Sequence, residues 1–366
     1  MRVAILHDYL NQYGGAERVL EAILEMYPAA DIYTLLYDGE KTRGAFAANI
    51  AKTSFLDIPF IRRRHRLFIP FMPLAAKFLK SKERYDLVIS STAGYGKGIG
   101  VTGRYHVSYC HTPLRYAWEF DYLKDVPFSP WPVKEGIMRP IARALRRWDE
   151  RTAGRVNVFM ANSRHIQGKI RAYYKRDAIV VYPPVDTKLF YPERERVHEP
   201  YYLMAGRLLY YKRFDLGIRA FNEMKRRLVV VGKGPEYANL AAMADARYIR
   251  FVPSPDDAEL RRIYSNAEAF IFPQVEDFGL VAAEALACGT PVIAYKEGGG
   301  GEIVSPKRTG VIMREQTSAA VIAAVREAER TQWNRKAIAA EAEKFSKEAF
   351  KRNFEAVLAS VGFPNH

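Results

Sequence analysis

Two glutamates, Glu276 and Glu284, lie eight positions apart in Glu276-Asp277-Phe278-Gly279-Leu280-Val281-Ala282-Ala283-Glu284. The stretch follows an apolar run, Ala269–Pro273, and opens an alanine-rich segment of helical composition. Glu276 falls before the helix and Glu284 about two turns in, at roughly 3.6 residues per turn. Gly279, Leu280 and Val281 would present the N–H groups of a helix start to phosphate or sugar oxygens. Carboxylates hydrogen-bond vicinal hydroxyls well, so one could hold a hexose and the other a ribose. Either glutamate alone reads as a surface helix residue; the full arrangement does so much less readily.

Arg207 and Lys212 follow another apolar run, in Ala205-Gly206-Arg207-Leu208-Leu209-Tyr210-Tyr211-Lys212-Arg213. A forked guanidinium beside an ammonium suits a diphosphate leaving group, because both neutralise charge that grows as a bond to it breaks. A solvated basic loop is the commoner use of such residues. Gly14-Gly15-Ala16-Glu17-Arg18 follows the first run. It is either a tight turn that starts a helix or a loop that lets backbone N–H groups meet a ligand. No Gly-Lys-Ser/Thr follows, so it is not a P-loop, and the third glycine of a dinucleotide fingerprint is missing. His111 ends the run Val107–Cys110 and suits a sugar hydroxyl or a proton transfer, although lone histidines are more often structural. Ser163, after Val156–Asn162, reads on its own as a helix N-cap.

The elements that carry these residues alternate. Short apolar, β-rich runs occur at Val3–His7, Asp86–Ser91, Val107–Cys110, Val156–Asn162 and Ile179–Tyr182, then at Tyr201–Ala205, Leu228–Gly232, Tyr248–Val252, Ala269–Pro273 and Pro291–Tyr295. Near-continuous apolar strands between helix-like segments predict parallel sheets covered on both faces. The series runs twice, with Pro183-Pro184 and a polar stretch at Glu193–Glu199 between the two passes. The expected architecture is α/β: two doubly wound, Rossmann-like parallel-sheet domains facing a cleft, with ligands at the carboxyl ends of the strands. The first domain spans 1–185 together with a terminal amphipathic helix at 346–366, and the second spans 186–345. In that helix Phe350, Phe354, Val357 and Leu358 share a face.

The chain has 366 residues, 49% hydrophobic and 27% charged, a balance that excludes a mainly disordered or collagen-like chain. Two cysteines cannot form a disulfide framework or a thiolate zinc site. The net charge is +15, and residues 1–185 hold 29 basic against 17 acidic residues. That excess points to an anionic partner of the first half: nucleic acid, membrane surface or phosphorylated substrate. It centres on Arg62-Arg63-Arg64-His65-Arg66, which runs into Leu67-Phe68-Ile69-Pro70-Phe71-Met72-Pro73. Basic residues beside exposed aromatics suit an anionic membrane surface, whereas the plain alternative is a solvated face over a strip of core. No recognisable nucleic-acid module accompanies the charge. The first residues do not form a signal peptide and no run reaches the length of a spanning helix. The expectation is therefore a cytoplasmic protein, with any membrane contact peripheral and at the inner face.

Together these residues resemble family 4 of the nucleotide-sugar glycosyltransferases, which have the two-domain GT-B fold. Glu276 and Glu284 match that family's E-x7-E motif, with Phe278-Gly279-Leu280 inside it. Arg207 and Lys212 look like its diphosphate-binding pair. Gly14-Gly15 resembles its glycine loop, Gly232-Lys233-Gly234-Pro235-Glu236 its G-x-G-P turn, and the last helix the one that crosses back to the N-terminal domain. His111-Thr112-Pro113-Leu114-Arg115-Tyr116-Ala117-Trp118-Glu119 is most similar to the WbaZ-like mannosyltransferases of bacterial surface polysaccharide assembly.

The resemblance implies a retaining hexosyl transfer from a nucleotide donor, GDP-mannose, onto a lipid-linked glycan acceptor, with no metal or other cofactor. It implies that Glu276 binds the hexose beside Gly279 and Leu280, that Glu284 binds the ribose and that His111 meets the hexose. It puts Ser163 in the sugar pocket, Gly15 under the phosphates or the acceptor, and the Val252 backbone near the base. Arg62, Arg63, Arg64 and Arg66 are the expected membrane contacts. The competing readings are a UDP-glucose or other UDP-hexose transferase, a sugar-nucleotide epimerase or a phosphorylase on the same architecture, and, in a different class, a basic nucleic-acid-binding protein.

Overall fold

A computed structural model describes residues 1–119, 131–193 and 199–363, the side chains of 131–134 excepted. The chain divides into two compact units, Met1–Val181 with Glu355–His366, and Tyr182–Phe354.

The first unit is built on a seven-stranded sheet of order β3-β2-β1-β4-β5-β6-β7. The strands are β1 (Val3–Leu10), β2 (Asp31–Tyr37), β3 (Ile50–Thr53), β4 (Tyr85–Thr92), β5 (Gly103–Cys110), β6 (Val158–Ala161) and β7 (Ala178–Val180). Every pairing is parallel. The helices are α1 (Gly15–Met26), α2 (Pro59–Arg64), α3 (Met72–Phe78), α4 (Arg115–Trp118), α5 (Trp131–Ala153) and α6 (Arg164–Tyr174). The order turns back beside β1, so β1 and β4 flank the switch point at which a doubly wound sheet opens its ligand crevice.

The second unit has a six-stranded sheet of order β10-β9-β8-β11-β12-β13, again parallel throughout. Its strands are β8 (Tyr202–Ala205), β9 (Leu228–Val231), β10 (Ile249–Val252), β11 (Phe270–Phe272), β12 (Val292–Tyr295) and β13 (Gly310–Met313). Its helices are α7 (Phe214–Met224), α8 (Tyr237–Met243), α9 (Asp257–Asn266), α10 (Leu280–Ala287), α11 (Gly300–Ile303), α12 (Ser318–Glu329) and α13 (Arg335–Ala342). Alternate strand residues separate cleanly. Leu203, Ala205, Val229, Val231, Phe270 and Phe272 enter one core, while Tyr202, Met204, Leu228, Val230 and Ile271 enter the other. A sheet buried on both faces needs apolar residues at both phases of the strand, hence the near-continuous runs in the sequence.

The last helix, α14 (Lys347–Ser360), begins where Ser346 caps it, its Oγ accepting from Ala349 N–H at 3.2 Å. The division between units falls within this helix, after Phe354. Ser346 also bridges Val185 as an isolated parallel pair, and Val185 N–H donates to Phe345 O at 2.7 Å. Three strands were not anticipated: β2, β3 and β13. The polar stretch at Glu193–Glu199 lies mostly outside the described residues. Among the described residues no helix is long and apolar enough to cross a membrane.

One histidine titrates with the fold. The His106 ring shares a 2.9 Å hydrogen bond with Ser90 Oγ, and burial, reinforced by Lys97 and Arg155, pulls its pKa down to about 4. The native chain then binds fewer protons than the unfolded chain at pH values from about 6.5 down to 4. His106 therefore contributes stability that is complete above about pH 6.5 and lost as pH falls toward 4. Melting temperature should decline over that window, and His106→Gln should flatten the decline; an equal slope in the variant would assign the loss to other groups.

Candidate active site

In the second unit the predicted residues gather at the carboxyl ends of β8, β10 and β11. The loop after β8 begins at Gly206, whose φ of +143° favours glycine. A side chain there would also meet Lys212 Nζ at 3.4 Å, because Lys212 folds back over it. Lys212 closes a short 3-10 turn, Tyr210–Lys212, and its Nζ lies 2.6 Å from Glu276 Oε1. Both side chains are mostly buried, at 14% and 19% exposure, so the pair is partly shielded from water. Arg207, on the same loop, is exposed. The neighbouring loop after β9 is bonded to this one by Gly206 N–H to Val231 O and Leu208 N–H to Lys233 O, at 3.0 and 2.9 Å. Gly232 is fixed by contact: its φ is +131°, and a Cβ would lie 1.9 Å from Gly206 O. The G-x-G-P turn thus supports the loop that carries Lys212. Val252 ends β10, half-buried, and its carbonyl accepts from Gly232 N–H at 2.9 Å.

Helix α10 starts from Gly279, left-handed at φ +103°. Its intrahelical bonds begin with Ala282 and Ala283 N–H on Gly279 O. The N–H groups of Leu280 and Val281 stand at the open start of the helix, where an anion or a hydroxyl oxygen is favoured. Two residues of the motif have buried side chains. The Phe278 side chain is core, with its ring 5.7 Å from Tyr182 and 5.4 Å from Phe345. Glu284 is 3% exposed, and its Oε2 accepts from the Tyr264 hydroxyl at 3.2 Å. In this structure it is an interior hydrogen-bonding group, where the resemblance implied a ribose contact.

A run of four glycines, Gly298–Gly301, was overlooked in the sequence. Gly299 N–H donates to Glu276 O at 2.7 Å, and Cβ atoms at 298 and 299 would lie 2.7 Å from Glu276 O and 2.3 Å from Phe278 Cα. The run backs the Glu276–Gly279 loop directly. Its signal was available, because four glycines two residues after an apolar strand mark close backbone approach.

In the first unit Gly15, His111 and Ser163 follow β1, β5 and β6. Gly15 opens α1, and Gly14 N–H donates to Glu17 Oε2 at 2.8 Å. Glu17 is 2% exposed, and its Oε1 lies 3.8 Å from Nε2 of buried His7. The His111 ring is half-buried, shares a 2.9 Å hydrogen bond with Ser91 Oγ and lies edge-on to Tyr109. Its carbonyl accepts from Asn162 Nδ2 at 3.0 Å. Ser163 is fully buried and caps α6, its Oγ accepting from Ile166 N–H at 3.0 Å and donating to Asn162 Oδ1. The plain reading of Ser163, a helix N-cap, is what its hydrogen bonds show.

A buried charge cluster near His111 escaped the sequence reading. Asp149, fully buried on α5, accepts from Lys97 Nζ, from Trp118 Nε1 at 2.8 Å and from the Tyr174 hydroxyl at 2.8 Å. Lys97 Nζ also donates to Gly94 O at 2.7 Å. Asp149 thereby ties the turn after β4, the segment after His111 and α6 together. Of the predicted membrane contacts, Arg63 and Arg64 are exposed, whereas Arg62 is spent on Asp57 at 2.6 Å and Arg66 is half-buried.

Known proteins agree with this architecture. Residues 13–189 match the family model described as Glycosyltransferase Family 4, and residues 185–351 match Glycosyl transferases group 1. The chain therefore carries the two domains of a family 4 glycosyltransferase on a GT-B fold. A "GDP-mannose-dependent alpha-(1-6)-phosphatidylinositol monomannoside mannosyltransferase" of Mycolicibacterium smegmatis is 31% identical over 205 residues, 48% of this chain and 53% of that protein. A "D-inositol 3-phosphate glycosyltransferase" of Mycobacterium marinum is 33% identical over 33% of this chain and 30% of its own length. The chain thus spans about half or less of these curated relatives. Among solved structures, Anabaena Alr3699/HepE in complex with UDP superposes with a TM-score of 0.70 at 19% identity, over 98% of this chain and all of that one. Sucrose-phosphate synthase from Thermosynechococcus elongatus gives 0.72 at 18%, over 99% of each chain.

Proposed function

We propose that the chain transfers a hexosyl group from a nucleoside diphosphate sugar to an acceptor hydroxyl, with retention at the anomeric carbon. The observation that carries this reading is the Lys212–Glu276 pair, 2.6 Å apart beside the open start of α10. It joins a cation for a leaving diphosphate to a carboxylate for sugar hydroxyls. In the step, the bond from the anomeric carbon to the β-phosphate oxygen breaks and a bond to the acceptor oxygen forms on the same face. The departing phosphate oxygen takes the acceptor's proton. Lys212 and Arg207 stabilise the charge left on the diphosphate, and the protein's part is positioning and electrostatics, without a metal or other cofactor. We assign the hexose to Glu276, Gly279 and Leu280 and the base to the Val252 backbone, and we keep for His111 the hexose contact that the resemblance implies.

The donor we favour is GDP-mannose and the acceptor a lipid-linked glycan at the inner face of the membrane, in surface polysaccharide synthesis. The name of the mycolicibacterial relative supports GDP-mannose as donor and a lipid-borne mannoside as acceptor. A UDP-hexose donor is the alternative, since Alr3699/HepE was crystallised with UDP.

The test is melting temperature against GDP, UDP, ADP and dTDP. A nucleotide at about 100 times its dissociation constant raises stability by about 2.7 kcal/mol. A selective rise with GDP is the expected result. A selective rise with UDP would keep the transferase and remove the mannosyl assignment, and no rise with any of the four would overturn the donor site.

A further inference from the structure

We infer that residues 55–78 form a membrane seat that enters an anionic bilayer through its phenylalanines, with the arginines as a rim. The inference deepens the lipid-linked acceptor reading and rests on it for its purpose. Among the described residues, thirteen large apolar side chains are exposed, and seven of them lie between Phe55 and Phe78. Phe55, Phe60, Phe71 and Phe78 are 57%, 54%, 54% and 57% exposed. Single exposed apolar residues are ordinary, but a concentration on one short segment marks a contact surface.

Their exposure is built into the fold. Ile61, Ile69, Met72, Ala75 and Ala76 from the same segment are buried in the first unit's core. They hold α2, the 3-10 turn His65–Phe71 and α3 in place while the phenylalanines remain outside. Phe68 packs against Phe60 and Phe71, at ring separations of 6.2 and 6.5 Å. The segment is also fastened to the carboxyl end of β1. Asn11 Nδ2 donates to Arg62 O at 3.1 Å and lies 3.2 Å from His65 Nδ1, and the Tyr9 ring sits 5.2 Å from His65. A surface held there is coupled mechanically to the strand end that precedes Gly14-Gly15.

Charge selects the occupant. From 55 to 80 the chain carries Arg62, Arg63, Arg64, Arg66, Lys77 and Lys80 against a single acid, Asp57, which Arg62 neutralises. Arg63, Arg64, Lys77 and Lys80 are exposed, and the Arg64 guanidinium lies over the Phe60 ring at 5.0 Å. Apolar rings framed by unpaired cations match the headgroup and acyl boundary of an anionic bilayer, whereas a second copy of this surface would set cation against cation.

Electrostatic adsorption fades within a screening length of about 3 Å at 1 M salt, while apolar insertion does not. The full chain should co-sediment with phosphatidylcholine vesicles containing about a third phosphatidylglycerol, and keep most of that binding at about 1 M sodium chloride. The combined variant Phe60→Ser, Phe71→Ser, Phe78→Ser should lose about tenfold or more of its partitioning at low and high salt alike. Arg63→Gln with Arg64→Gln should lose binding mainly at low salt. Unchanged partitioning of the phenylalanine variant would overturn the inference. So would a wild-type dimer that the variant disperses without any vesicle binding, since the occupant would then be a second copy. Each variant's melting curve and its shift with nucleotide are recorded alongside. Vesicle binding without any nucleotide shift would remove the transferase reading and leave the seat standing; the reverse would remove the seat alone.

Discussion

Lys212→Ala is expected to lower donor turnover about 10²- to 10³-fold, the range for losing one group aimed at charge that grows in the transition state. The expectation rests on position. Lys212 stands at the carboxyl end of β8, is only 14% exposed, and is held by Glu276 at 2.6 Å. A cation in that setting is partly desolvated, so its attraction for a departing diphosphate is less screened than that of a surface lysine. The fold should survive. Lys212 closes a loop whose shape is set by backbone bonds to the next loop, Gly206 N–H to Val231 O and Leu208 N–H to Lys233 O. Glu276→Gln should behave differently. It removes the lysine's counter-charge and weakens a hydroxyl anchor, so donor KM should rise while binding of the free nucleoside diphosphate is kept. Steady-state rates for both variants decide the matter: a Lys212→Ala enzyme with wild-type kcat would detach this lysine from the chemistry.

Asp149→Ala should cost about 3–5 kcal/mol, the penalty for leaving a buried charge without its partner. Lys97 is 2% exposed and would keep Gly94 O and the face of the Tyr174 ring but no counter-charge, while the Trp118 indole and the Tyr174 hydroxyl would lose the acceptor they share. At roughly 2–4 °C per kcal/mol for a unit of this size, melting should fall by about 10 °C. Lys97→Met with Asp149→Leu should recover part of the loss, because apolar replacement of a whole buried pair is often close to neutral. A single-variant shift under about 2 °C would mean that Asp149 does not organise this region. The segment at stake leads from His111 to Trp118, so the single variant should also lower activity at temperatures where it remains folded.

Much of the fold was legible because parallel sheets buried on both faces leave uninterrupted apolar runs. Ten strands stand where those runs lie. β2 (Asp31–Tyr37) was hidden because Tyr33, Thr34 and Tyr37 break its apolar pattern, although Leu35 and Leu36 are fully buried. β3 is an edge strand with exposed Ala51 and Lys52, so it carries no such run at all. The Lys212–Glu276 meeting was legible as chemistry, since each residue follows its own strand in one sheet and therefore emerges at the same end. Interior roles were not. Lys97 and Asp149 are 52 positions apart, and each alone looks like an ordinary surface charge. Phe278 reads as part of a motif, yet its ring packs among Tyr182 and Phe345. Spacing along a chain tells which end of a sheet a residue reaches; it does not tell how deep the side chain lies.

The start of α1 bears on what a ligand could meet at Gly15. Glu17 returns its carboxylate to Gly14 N–H at 2.8 Å and is almost wholly buried. That helix start brings its own anion, and the field that would welcome a phosphate is largely cancelled at its source. A phosphate arriving there would meet like charge, whereas a neutral hydroxyl would meet only the N–H groups still open. Glu17 therefore sets the polarity at the start of α1: the cap is internal, and only the N–H groups it leaves open could serve a ligand at Gly15.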